Sequence, residues 1–243
     1  ILVFVTLAMK GGSYVYYFNN YVDEATLKSF IQPILDSLAA VGMNFFESDV
    51  ASAGFGLFNA GGIICSMIGI AVSSKLANKF GKRDVFGTTL FIATLFIVSF
   101  IFYNPEDVRL MFLAQALHMF FYGVTTPILW AMIADVADYS EWVNNRRATA
   151  IIFSAMMVGL KAGLAIGGAI VTWILGLYGY VSKDAVAAGQ ELIQPESVAQ
   201  GAKMLVSIYP SIPFLIGVAL LFFYEINKSK EVQIQKDLIE RRQ

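Results

Sequence analysis

Six long apolar runs alternate with polar connections along the chain. They fall at about 1–22, 50–74, 85–104, 108–134, 148–178 and 203–226. Each approaches or exceeds the length of about 20 residues that a helix needs to cross a bilayer core. None shows the period-two alternation of a barrel strand. Backbone amides in hydrocarbon must be satisfied within their own segment, so the runs are predicted as helices. The connection 23–49 has a pattern of its own. Leu27, Phe30, Ile31, Ile34, Leu35, Leu38 and Val41 recur at helical spacing, with Lys28 and Asp36 on the other side. This predicts a short amphipathic helix at the outer interface, with Pro33 near its start or at a kink. The last stretch, 227–243, is predicted as a charged helix with a solvated surface.

Composition agrees with this pattern. The 243 residues are 57% hydrophobic and only 14% charged, with a mean hydropathy of +0.65. A soluble domain carries about 25% charged residues, so a soluble fold would leave too much apolar surface exposed. Disorder is excluded by the apolar and aromatic content. A net charge of −1 without a basic stripe argues against nucleic-acid binding. Cys65 is the only cysteine, so no intrachain disulfide can form. One histidine and no cysteine pair give no metal-ligand spacing. No phosphate-binding loop or catalytic triad is present, so enzymatic activity and a cofactor are not expected.

The connections alternate in charge. Lys75, Lys79, Lys82, Arg83, Arg146, Arg147, Lys228, Lys230, Lys236, Arg241 and Arg242 belong to one set of connections. Lys28, Arg109, Lys183 and Lys203 belong to the other. The positive-inside rule puts the richer set, and hence the C-terminus, in the cytoplasm. The chain opens Ile1-Leu2-Val3-Phe4-Val5 without a charged leader. It is therefore expected to begin inside a helix, as part of a longer polypeptide.

Several polar residues lie within the spans. In the fifth, Gly159, Gly163 and Gly167 repeat every four residues, a face that lets a neighbouring backbone approach. Lys161 lies about 160° away, on the opposite face. A charge this deep costs at least ~2.5–3.5 kcal/mol, which predicts a wet cavity or a partner. In the fourth span Gln115, His118, Tyr122 and Thr126 form one stripe, with Trp130 one turn further on. The stripe reads either as a cavity wall or as interhelical hydrogen bonding. Pro127 is placed to kink this helix. The first span carries Lys10-Gly11-Gly12 at mid-depth and a tyrosine cluster beyond it. The second is rich in glycine and holds Asn59, for which packing is the default reading.

Two connecting segments carry a resemblance. Residues Lys75-Leu76-Ala77-Asn78-Lys79-Phe80-Gly81-Lys82-Arg83-Asp84 resemble the basic loop that major facilitator transporters place between the second and third helices of each half. The second set comprises Asp135, Asp138, Tyr139, Glu141 and Trp142, then Arg146-Arg147-Ala148, then Lys161-Ala162-Gly163. It resembles the helix 10–11 junction of the glycoside–pentoside–hexuronide:cation symporters, the family of melibiose permease. Met9-Lys10-Gly11-Gly12 with Tyr16-Tyr17-Phe18 resembles helix seven of that family.

The resemblance implies helices 7–12 of a major facilitator fold, with inverted three-helix repeats 1–104 and 108–226 and a tail 227–243. It implies sugar or glycoside symport with Na⁺ or H⁺ by alternating access at the inner membrane. The coupling cation would be held mainly by an N-terminal half missing from this chain, so the chain would not transport alone. Lys161 is the residue that the resemblance carries over to substrate and cation coupling. Lys10, Gln115, His118, Tyr122, Thr126 and Trp130 are added as candidates for the solute path. Asp135, Asp138, Glu141, Arg146 and Arg147 are expected in the cytoplasmic loop as a gate of ion pairs that form in one state and break in the other. The alternatives are a transporter of the same fold for a nucleoside, peptide or drug and, less readily, a membrane scaffold or enzyme.

Overall fold

A computed structural model describes residues 1–42, 49–182 and 194–242. No strand occurs among them; the fold is all helical. The helices are α1 (Leu2–Asn20), α2 (Glu24–Ala40), α3 (Val50–Phe80), α4 (Lys82–Val98), α5 (Val108–Asn144), α6 (Thr149–Leu177), α7 (Glu196–Val206), α8 (Ile208–Leu220) and α9 (Lys228–Arg242). Short 3₁₀ turns extend α4 through Phe102 and α8 through Phe223.

Five of the six predicted spans are long and apolar enough to cross a membrane by themselves. The sixth, α1, carries Lys10, Ser13, four tyrosines and two asparagines in or at the end of its length. Its polar side is enclosed instead, with Thr6, Lys10 and Ser13 all buried among other helices.

Glycine contacts fix the helix directions. A Cβ on Gly163 would meet Phe4, one on Gly167 would meet Ala8, and Gly12 faces Val171. Residue numbers rise together, so α1 and α6 run parallel. Gly62 faces Gln115 and Met119, while Gly69 faces Phe120 and Val124, so α3 and α5 are parallel too. Tyr14 meets Gln115 and Tyr17 meets Met111, making α1 and α5 antiparallel. α1 and α6 therefore run opposite to α3 and α5.

Several connections are tighter than predicted. The basic segment 75–84 is not a loop. Lys75–Phe80 complete α3, and Gly81 alone makes the turn into α4, at φ +94° that other residues rarely adopt. α5 runs on through Asn144, about 56 Å of helix against a hydrocarbon core of about 30 Å. Asp135, Asp138 and Glu141 thus stand on a helical extension, not in a loop as predicted. Pro127 is accommodated within this continuous helix. The last span breaks into α7 and α8 at Ser207, three residues before Pro210, whose missing N–H removes a helix hydrogen bond.

α2 is the predicted amphipathic helix, capped by Asp23 on the amide and hydroxyl of Thr26, both at 2.7 Å. Its first half docks most closely. Leu27 and Ile31 are buried, Phe30 packs on Phe112 and Leu35 packs half-buried on the same core, while Ile34 and Val41 are exposed. Pro33 sits well inside the helix rather than near its start. Residues 43–48 of this connection, and Lys183, lie outside the described residues.

Cores form at both ends of the bundle. At one end Tyr14, Tyr17, Phe18, Phe58 and Phe100 interlock edge to face. Nearer the other end Leu90, Ile97, Val124, Ile128 and Phe214 join α4, α5 and α8. α3 and α6 are the least enclosed spans. Only 17% of the most apolar stretch of each is buried, against 44% in α4.

Candidate functional site

A cavity of about 110 Å³ lies between α1, α3, α5 and α8. Its polar wall is Thr6, Lys10, Tyr14, Asn59, Gln115, His118 and Tyr122; Leu7, Met119 and Phe214 are apolar. Lys10 is 6% exposed, and among the described residues no carboxylate pairs with it. Its ammonium lies 5.3 Å from the centre of the Tyr14 ring, a cation–π contact. The Tyr14 hydroxyl donates to Gln115 Oε1 at 2.9 Å, which leaves the amide nitrogen of Gln115 for other partners. A Cβ on Gly62 would come within 3.2 Å of that nitrogen, so glycine there makes room for the side chain.

His118 Nδ1 lies 2.9 Å from the Ala93 carbonyl, which can only accept, so Nδ1 carries the hydrogen. In the neutral ring Nε2 is then an acceptor. The ring stacks on Tyr122, and Tyr122 stacks on Phe214. Thr6 donates to the Pro210 carbonyl at 2.9 Å, tying α1 to α8 just past the Ser207 break.

The structure thus brings together Lys10, Gln115, His118 and Tyr122. It leaves out three of the other candidates. Lys161 is exposed on α6, with the stripe Gly159, Gly163 and Gly167 buried against α1. The α1–α6 register puts Lys10 level with residues near 169, about 12 Å along the axis from Lys161. Thr126 turns its hydroxyl back to the Tyr122 carbonyl, and Trp130 is half-buried further down α5. Thr6, Tyr14, Asn59 and Phe214 complete the wall. Tyr14 and Asn59 stand out as polar residues in spans, but only the antiparallel α1–α5 pairing and the parallel α3–α5 pairing bring them to the stripe.

A second polar cluster closes the end where α3 turns into α4. Lys82 Nζ contacts Asp135 Oδ1 at 2.6 Å and Glu231 at 3.1 Å. Arg147 pairs with Asp138 at 3.0 Å and approaches Glu141 at 3.9 Å. Arg146 contributes its carbonyl to Ser140, and its side chain is exposed. Of the expected gate residues, Arg147, Asp138 and Glu141 therefore form one group, and Asp135 belongs to another.

The tail is not merely solvated. Ile234 and Leu238 of α9 are buried with Ile226 against Val136, Tyr139 and Trp142 of α5. Trp142 Nε1 donates to Asp237 at 2.7 Å, and Arg241 donates to the Trp142 carbonyl and to Asn145. Lys228 donates to the last carbonyls of α3, from Asn78 and Lys79. Burial of one apolar residue per turn in an otherwise charged segment is too weak a periodic signal to predict this docking.

Comparisons with known proteins follow the same lines. Residues 37–228 match the family described as MFS/sugar transport protein. The chain is 32% identical over 182 residues to a protein of Escherichia coli K12 named, provisionally, as the glycoside/cation symporter YagG, covering 74% of this chain and 38% of that protein. It is 26% identical over 188 residues to the glucuronide carrier protein homolog of Escherichia coli K12, covering 75% and 39%. It is 30% identical over 155 residues to the inner membrane symporter YicJ of Escherichia coli K12, covering 64% and 32%. The chain spans under two fifths of the length of each of these three relatives. The family and these relatives are transporters, not enzymes.

Proposed function

We propose that this chain, which belongs to the MFS/sugar transport protein family, supplies the C-terminal six-helix half of a sugar or glycoside:cation symporter. The observation that carries the reading is the polar cavity built around buried Lys10 in an otherwise apolar bundle. A lone charge at mid-depth is costly and marks a solute path. The names of relatives as a glycoside/cation symporter and a glucuronide carrier favour a sugar as the solute.

In this reading the bare apolar faces of α3 and α6 meet an N-terminal half as well as lipid, and Lys161 projects toward that boundary. The coupling ion, Na⁺ or H⁺, is held mainly by the other half. The end with α9 faces the cytoplasm of an inner-membrane protein, because it gathers Lys75, Lys79, Lys82, Arg83, Arg146, Arg147 and the tail. The two ion-pair groups there close the cytoplasmic side in one transport state.

The test is glycoside uptake by proteoliposomes containing the complete transporter, with an inward Na⁺ or H⁺ gradient imposed. Accumulation above equilibrium under one gradient is expected. Uptake that only equilibrates under both overturns symport, and no movement of any glycoside overturns the choice of solute.

A further inference from the structure

A groove opens between α4 and α8 at the end of the bundle that carries α9. Its volume is about 560 Å³, and Arg83, Gly87, Thr88, Phe91, Leu221 and Phe222 line it. The helices run antiparallel here, since Arg83 reaches the Tyr224 carbonyl and Gly87 faces Leu221. A Cβ at position 87 would stand 3.2 Å from Leu221, so glycine lets the two helices approach.

Beyond its mouth the groove is apolar and uncovered. Phe91 is 44% exposed and Phe222 86%. The rise from Arg83 to Phe91 is about 12 Å of helix, against about 15 Å for the hydrocarbon of one leaflet. Pockets that take a whole small ligand run to about 300–1,000 Å³, so there is room for a length of acyl chain.

The mouth is charged. Arg83 Nε donates to Asp84 at 3.0 Å and Nη1 to the Tyr224 carbonyl at 3.3 Å. Those contacts fix the guanidinium plane and leave its Nη2 donors and one on Nη1 for another partner. Paired N–H groups of this kind match phosphate oxygens. The Asp84 side chain is 61% exposed, so water screens its charge and it can accept from a headgroup hydroxyl or ammonium. A phosphate-matching fork above an open apolar trough one leaflet deep fits the two ends of a phospholipid.

We propose that this groove is a phospholipid site in the leaflet on the α9 side. Arg83 takes the phosphate, and one acyl chain lies along Gly87, Thr88 and Phe91 against Leu221 and Phe222. The site is independent of the transported solute. Arg83 also holds Tyr224, in the segment that leads into α9, so the lipid and the tail share one residue as anchor.

The experiment titrates the delipidated complete transporter in detergent with dioleoyl phosphatidylglycerol. The first bound lipid is read from the mass of the intact complex. Dioleoylglycerol supplies the chains without the phosphate, and inorganic phosphate supplies the phosphate without the chains. Wild type is expected to bind the phospholipid at least about tenfold more tightly than dioleoylglycerol, and to keep it in millimolar inorganic phosphate. Arg83→Gln is expected to weaken binding by at least about tenfold and Arg83→Lys by less. Thr88→Trp, at an exposed position, fills the groove and is expected to weaken binding as much with the guanidinium intact.

Equal binding of dioleoylglycerol and the phospholipid overturns the phosphate contact. Release by inorganic phosphate overturns the lipid and leaves a small-anion site. Wild-type affinity in Thr88→Trp puts the lipid outside the groove and overturns the site, as does wild-type affinity in Arg83→Gln. If Arg83→Gln fails to fold, Thr88→Trp decides alone.

Discussion

Lys82 holds both carboxylate oxygens of Asp135, at 2.6 and 2.7 Å, across the turn end of α4 and the extension of α5. Glu231 of α9 shares the same ammonium at 3.1 Å, so one side chain links three helices. Replacing Lys82 by Met leaves two carboxylates facing each other without a cation. The loss is expected to cost about 1–2 kcal/mol, or roughly tenfold more frequent release of α9. Trypsin cleavage within 228–242, in membranes that expose this end, measures it. An unchanged cleavage rate would mean that the apolar contacts of Ile234 and Leu238 hold α9 alone.

The close crossing of α3 and α5 depends on Gly69 and Gly123. A Cβ at Gly69 would run into the Phe120 carbonyl, and one at Gly123 into the Ser66 backbone. Backbone cannot step aside as a side chain can. Gly69→Ala and Gly123→Ala are expected to destabilise the bundle by about 1–3 kcal/mol through overpacking. Gly61→Ala has open space around it and is expected to be neutral or to gain up to about 1 kcal/mol of helix propensity. Thermal unfolding in detergent distinguishes the three.

Asp23 caps α2 through Thr26, whose hydroxyl and amide hold its carboxyl below the ordinary value of 3.8. Its folded value is depressed, so the cap stabilises α2 above the ordinary carboxylate range. That contribution is lost as pH falls through the depressed value. Asp23→Ala is expected to speed amide exchange in the first turn of α2 at neutral pH. In wild type the same loosening should appear only on acidification, which exchange measured across an acid series would reveal.

Lys161→Ala is expected to abolish accumulation of solute while leaving insertion and yield unchanged, because the side chain is exposed in this half and packs into no core. Accumulation reduced by at least about tenfold is the scale for losing one charge-assisted contact. Concentrative uptake at the wild-type level would remove Lys161 from the coupling path.

Periodicity shows the helices and their order because each span is a continuous apolar run. It misses three boundaries. The runs through 75–80 and 135–144 are polar but helix-forming, and only Gly81 and Asn145, both at positive φ, end them. The break at Ser207 falls within the run 203–226, where hydropathy carries no signal and Pro210 alone marks it. In the cavity, the stripe Gln115, His118, Tyr122 is readable from helical spacing within one segment. Tyr14, Asn59 and Phe214 come from three other helices, and their convergence depends on register and direction. Lys161 resembles Lys10 in the sequence, yet burial separates them: one is enclosed by four helices, the other stands on the outer face of α6.

The enclosure of α1 has a consequence for biogenesis. A helix with an uncovered lysine at mid-depth inserts less favourably by about 2.5–3.5 kcal/mol. The partners that cover this one include Gln115 and His118 on α5 and Phe214 on α8, made roughly 100 and 200 residues later. α1 therefore enters the bilayer as a poorly anchored segment and becomes a stable span only once α5 and α8 have followed. Retention of α1 is a product of tertiary assembly, so lesions in α5 or α8 are also lesions in the topology of α1.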